Sequence, residues 1–190
     1  MRRGLSFVLM EAMRFLRILL FSFLVVLVAV VIFGLLAPSD WDVERSVTIK
    51  AKPEKIYPYV ANFKDGWPQW ASYDLEDPRI TYTYSGPDEG VGSRREWVGG
   101  LIGDGKQVIT HADIHRGVAF DIQMIETGFA IQGSIRFDPM ADGTKVTWRH
   151  YGNVGTNPFR RYTAFTMDRI MGDEFEKSLE LLKQKVEAAP

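Results

Sequence analysis

The sequence predicts an α+β domain, an antiparallel sheet with its helices on one side, carried behind a single membrane-spanning helix. Three observations predict it. Residues 18–36 are apolar throughout except for Ser22, with Gly34 near the end. Beyond that run, short segments alternate apolar and polar residues with the two-residue period of half-buried strands, separated by Gly, Pro or Asp. The chain then closes on a helical stripe, in which Met171, Phe175, Leu179, Leu182 and Val186 step by four, four, three and four.

The apolar run comes first. At about 1.5 Å per residue it spans roughly 28 Å, close to the roughly 30 Å hydrocarbon core of a bilayer. A helix of this kind satisfies its own backbone in lipid. Arg2, Arg3, Arg14 and Arg17 precede the run against Glu11 alone, so segment 1–17 carries net +3, while Asp40, Asp42 and Glu44 follow it. The positive-inside rule puts the N-terminus in the cytoplasm and the domain outside it, facing the periplasm if the membrane is a bacterial inner one. A cleaved signal peptide is the alternative, but its apolar region runs to about 7–15 residues and ends at a small-x-small site, which Leu35-Leu36-Ala37 does not supply.

Residues 37–42 read as a hinge and 43–190 as one domain of ordinary size. It needs no metal or disulfide, since about 150 residues bury roughly 68–70% of the unfolded chain's surface. There are no cysteines, which excludes thiol catalysis and Cys-based zinc sites. Residues 18–190 hold 19 basic and 23 acidic side chains, so nonspecific nucleic-acid binding is not expected.

Val43, Arg45, Val47 and Ile49 form one face of a first strand. Pro53 opens a short helix to Phe63, which Pro58 is expected to kink or split. Six strands follow near 80–84, 93–98, 107–115, 118–127, 130–138 and 144–151, with Asp142-Gly143 as the hairpin signal between the last two. Asn157-Pro158 reads as the N-cap and first position of one long helix toward Glu187. Phe120, Ile122 and Met124 oppose Asp121 and Gln123, and Val146, Trp148 and His150 oppose Lys145, Thr147 and Arg149. One face is therefore dry and faces the long helix.

In this order and spacing, several segments resemble the START-like, Bet v 1-like (SRPBCC) superfamily, in particular its bacterial polyketide cyclase/dehydrase and lipid transport branch. They are Val47-Thr48-Ile49 leading into Pro53-Glu54-Lys55-Ile56, Trp67 with Trp70, Gly90-Val91-Gly92 before Trp97, Gly143-Thr144-Lys145-Val146-Thr147-Trp148, and Phe175-Glu176-Lys177-Ser178-Leu179. The resemblance implies a helix-grip fold, a seven-stranded antiparallel sheet wrapped around a long C-terminal helix and an elongated cavity. It implies binding of lipids, sterols, quinones or polyketides, with cyclases and hydrolases as a minority. It supplies no catalytic motif, and both Pro58 and the membrane helix depart from its pattern.

The candidate ligand-binding residues are Trp97, Thr110, Phe120, Met124, Ile135, Trp148, His150 and Phe165. A neutral imidazole at His150 could hold a ligand's polar end or act as an acid/base, with Thr110, Glu126 and Arg95 as inward-facing neighbours. The ordinary alternative is a histidine satisfied by backbone. His111, Asp113 and His115 share a strand face, but a solvated face suits them better than a metal. Gly86, Gly90 and Gly92 lead into a strand with no Gly-Lys-Ser/Thr, so they read as turn glycines. Arg160 and Arg161 stand in a helix's first turn, either at a lipid headgroup or as a solvated pair. No cofactor, metal or catalytic residue is assigned. The leading expectation is a membrane-anchored binding or transfer domain for an apolar small molecule. A cyclase or dehydratase comes second and an interaction domain third.

Overall fold

The computed structural model describes residues 2–76, 79–100 and 103–189, leaving Met1 and Pro190, the outermost residues of the expected segments, outside the description. Helix α1 (Arg2–Leu36) takes in the basic segment as well as the apolar run. Its stretch Met13–Leu36 is long and apolar enough to cross a membrane, and it is almost wholly uncovered by the rest of the protein. Seven antiparallel strands follow: β1 (Asp40–Ile49), β2 (Thr81–Ser85), β3 (Arg94–Val98), β4 (Gly105–Asp113), β5 (Gly117–Met124), β6 (Ala130–Met140) and β7 (Gly143–Asn153). Their order across the sheet is β1-β7-β6-β5-β4-β3-β2, so the first strand closes onto the last.

β1 begins at Asp40, inside the expected hinge. Trp41 is buried opposite Gly152, and Asp42 is paired with Arg149, which makes these residues the sheet's own. Between β1 and β2 lie α2 (Pro53–Ala61), a 3-10 turn at Trp67–Gln69 and α3 (Ser72–Glu76). Pro58 does not split α2, which remains one helix. The last-turn carbonyls of α2 find unusual donors: Trp67 Nε1 reaches Val60 O at 2.8 Å and Trp70 Nε1 reaches Tyr59 O at 2.9 Å. Helix termini leave such carbonyls unpaired, and here the pairing fixes both indoles in the interior.

The expected C-terminal helix is two helices, α4 (Pro158–Ala164) and α5 (Met167–Ala188). Asn157 caps α4 as anticipated, accepting from Phe159 N. The break falls where threonine side chains compete with the helical ladder: Thr163 Oγ1 donates to Arg160 O at 2.7 Å and Thr166 Oγ1 to Thr163 O at 2.9 Å. The pieces then go separate ways. α5 buries Phe175, Leu179, Leu182 and Val186 against the sheet, and α4 packs on α1. Arg45 ties α5 to β1 through Asp168 at 2.8 Å and Glu176 at 2.7 Å.

Candidate functional site

The strand register lines up inward-facing residues in rows across the sheet. One row runs Val43, His150, Gly133, Phe120, Ile109. Gly133 is essential to it, because a Cβ there would stand 2.1 Å from the Phe120 ring and 2.8 Å from the His150 ring. Its absence lets those two rings meet across β6, 5.5 Å apart. In the next row Trp148 stacks on Phe175 of α5 at 4.2 Å, and the edges of Trp67 and Trp70 close on it from the α2 side. The middle of the chamber is thus a block of touching aromatic rings.

The row on the other side, toward the start of β1, runs Trp41, Gly152, Ile131, Ile122, Gln107, Arg95. Here Ile122 and Ile131 turn inward yet stay half-buried, as does Met124 one row further. The inner face is therefore least covered at this end.

Arg95 puts a charge into this apolar interior. It pairs with Asp74 at 2.7 Å, both side chains being nearly inaccessible, and donates from Nε to Gln107 Oε1 at 2.8 Å. Its guanidinium lies 4.5 Å from the Trp67 ring and 5.2 Å from Phe63. Desolvated cation–π contacts of this kind contribute about 2 kcal/mol or more. Tyr82 donates to the same Asp74 at 2.6 Å. Burial, reinforced by the Asp74 charge, raises its phenol pKa and keeps it a donor.

Hydrogen-bond chemistry fixes what the interior offers. A guanidinium only donates, so Gln107 turns its oxygen to Arg95 and leaves its Nε2 amide without a partner among the described residues. Burial first, and the Arg95 charge second, push the His150 imidazole down to about 3, so it is neutral. An indole only donates, so the 3.0 Å bond from Trp148 Nε1 makes His150 Nε2 the bare acceptor. Nδ1 then carries the proton, and it too is buried without a partner among the described residues. Both vacant positions are donors. Each would cost about 1–3 kcal/mol if left unmet.

The expected site residues divide. Phe120, Ile135, Trp148 and His150 are buried on the inner face, and Met124 stands at its least covered end. Trp97 is buried on the same face, its Nε1 donating to Gly103 O at 2.8 Å. Thr110 does not belong with them. A register shift between Ile109 and His111 makes it the extra residue of a β-bulge, and it is exposed. Phe165 is exposed at the α4–α5 break and stacks on Phe33 of α1 at 6.4 Å. Glu126 is exposed in the β5–β6 turn, so the expected acid/base pairing of His150 with Thr110 or Glu126 is not formed.

Other expectations resolve simply. Asp113 accepts the His115 and Arg116 backbone N–H groups, which hold its carboxyl below the usual range, and His115 Nδ1 stands 3.2 Å from Glu54. Gly86, Gly90 and Gly92 lie in the β2–β3 turn. Arg161, half-buried, donates to the Leu35 and Ala37 carbonyls at the end of α1. Arg160 lies over the Phe129 ring at 5.2 Å. Arg95 had only been placed among inward neighbours, and Gln107 and Asp74 were missed. The bulge hid Gln107 by inverting the apparent parity of β4. Asp74 comes from a short helix with no pattern of its own.

An open trough of about 1120 Å³ crosses the outer face of the sheet. Asp42, Tyr151, Gln132, Asp121, Val108 and Arg94 stand in one row across six strands there, so its walls mix charged and apolar groups and lie open to solvent.

This fold and chamber agree with what is known of related sequences. Residues 40–187 match the family model described as polyketide cyclase/dehydrase and lipid transport, and the chain belongs to that family. No curated protein sequence matches it. Among solved structures, a protein of unknown function from Staphylococcus aureus, SA2116, superposes with a TM-score of 0.59 at 17% identity, covering 78% of this chain and 94% of that one. Ara h 8.0201 gives 0.55 at 13% identity, covering 79% and 99%. The di-domain ARO/CYC StfQ of the steffimycin biosynthetic pathway gives 0.58 at 14% identity over 78% of this chain and 51% of its own. These likenesses establish the helix-grip fold, and the family supports a domain that binds hydrophobic ligands.

Proposed function

We propose that this chain is a membrane-anchored binding or transfer domain for an apolar small molecule bearing carbonyl-type oxygens, as lipid esters, quinones and polyketides do. One observation carries the reading: two buried donors, Gln107 Nε2 and His150 Nδ1, have no partner among the described residues, within an aromatic interior that also holds Arg95. The rings supply the apolar walls, and the donors orient the guest's polar end. α1 keeps the domain at the membrane, where such molecules are concentrated, and the arginines before it orient the domain to the extracytoplasmic side. A reporter fused after Pro190 tests that orientation, and cytoplasmic activity of the reporter would reverse it.

A cyclase or dehydratase acting in the same chamber would need His150 to exchange a proton near neutral pH. Its burial and the Arg95 charge oppose that, and its expected partners lie outside, so binding is the stronger reading. The test is uptake of matched pairs, a long-chain quinone or ketone against the corresponding hydrocarbon, by the full chain in detergent. The carbonyl compound is expected to bind at least about tenfold better, the equivalent of about 1.4 kcal/mol. Gln107→Leu and His150→Phe should each reduce that preference. Equal uptake of both compounds would remove the basis of the proposal.

A further inference from the structure

We infer that the domain rests with one end in the lipid headgroup layer, seated through α4, the start of α5 and the tip of the β5–β6 hairpin, so that the least covered end of the chamber faces the bilayer and not water. The inference rests on the reading of α1 as a membrane span. Three connecting residues, Ala37 to Ser39, separate α1 from β1, and α4 is bound alongside the last turns of α1. Tyr162 donates to Val30 O at 2.6 Å, and Phe33 stacks on Tyr162 at 5.9 Å. Gly34 permits this approach, since a Cβ there would lie 2.5 Å from Pro158 O. Val30 is six residues before the end of α1, about 9 Å along the helix axis. A helix fastened that far down a membrane span must itself lie at the membrane surface.

Its side chains suit that place. Phe159, Phe165 and Ile170 are large apolar groups that remain 58%, 54% and 62% exposed, Phe165 even with its contact to Phe33. Arg160, Tyr162 and Arg169 lie among them, the mixture of aromatic and cationic side chains that sits at the boundary between acyl chains and headgroups. Asp168, the acid in this stretch, is held by Arg45. The β5–β6 hairpin joins the same face through Phe129 beneath Arg160, and it presents Ile125, 56% exposed. The half-buried Ile131, Phe129 and Met167, packed against the margin of the core, are at this end too. A guest leaving the bilayer would reach Gln107 and His150 without crossing water.

The sequence contains no cysteine, so single cysteines can be labelled cleanly in the full chain. An NBD fluorophore at Ile170→Cys, Phe165→Cys or Ile125→Cys is read in phosphatidylcholine/phosphatidylglycerol vesicles whose lipids carry a shallow acyl-chain nitroxide. Met140→Cys, at the far end of the sheet, is the aqueous reference, and Val26→Cys in α1 reports insertion. Quenching at Ile170 and Phe165 about threefold or more above Met140 is expected for side chains in the interfacial layer. Quenching at Val26 but no more at Ile170, Phe165 and Ile125 than at Met140 would overturn the seating while leaving the anchor intact. Absence of quenching at Val26 as well would overturn the anchor, and the seating with it.

Discussion

Asp74 gives the most direct energetic test of the polar cluster in the chamber. Asp74→Ala removes the carboxylate that pairs with Arg95 at 2.7 Å and accepts from Tyr82 at 2.6 Å. The guanidinium cannot follow into water, because Arg95 is only 8% exposed and is enclosed by Trp67 and Phe63. Breaking a buried pair by removing one partner costs about 3–5 kcal/mol. Arg95 keeps Gln107 and its aromatic contacts, so the lower end, about 3 kcal/mol, is expected. Guanidinium unfolding of the full chain in detergent, followed by tryptophan emission, measures it, since the Trp67 ring lies against the affected charge. The double variant Asp74→Ala/Arg95→Met, which removes the stranded charge, should be more stable than Asp74→Ala alone. A loss below about 1 kcal/mol, the range of an exposed ion pair, would refute the claim that this charge is enclosed.

Three further outcomes follow from the same geometry. Gly133→Ala drives a methyl group into the Phe120 and His150 rings and should cost about 1–3 kcal/mol in the same unfolding assay; an unchanged midpoint would deny their contact across β6. His150 is held neutral with its pKa lowered to about 3, so as pH falls below about 6.5 the unfolded chain takes up a proton that the folded one refuses, and stability is lost. Between pH 6.5 and 5 the parent chain should therefore lose about 2 kcal/mol more than His150→Gln, and parallel curves would place that imidazole in water. Arg161→Ala frees the Leu35 and Ala37 carbonyls, and a loss of about 1 kcal/mol should speed amide exchange through residues 153–166 about fivefold. Unaltered exchange would mean that Arg161 does not fasten α4 to α1.

The sheet was legible in the sequence because its inward residues repeat with period two, and the helix stripe because Phe175, Leu179, Leu182 and Val186 share one face. The family resemblance then supplied the grip of one around the other. What escaped was set by tertiary contacts. The α4–α5 break carries no Gly or Pro; it comes from two threonine hydroxyls and from α1 drawing α4 aside. A bulge at Thr110 shifted the phase of β4, sending Thr110 out and Gln107 in. Phe165 looked like a pocket residue because an aromatic side chain in a helix is as well suited to a core as to a partner helix. His150 was identified by parity with Trp148, but its tautomer and its vacant Nδ1 depend on a bond that only the fold creates.

The central claim is that the chamber holds an apolar guest through its acceptor oxygens. Gentle extraction of the full chain from membranes, followed by native mass spectrometry and solvent release of whatever is bound, addresses it most directly. The account predicts a near-stoichiometric apolar passenger with at least one carbonyl-type oxygen, depleted in Gln107→Leu and His150→Phe. A passenger with no acceptor oxygen, or an empty protein that takes up no member of a lipid and quinone panel, would contradict it.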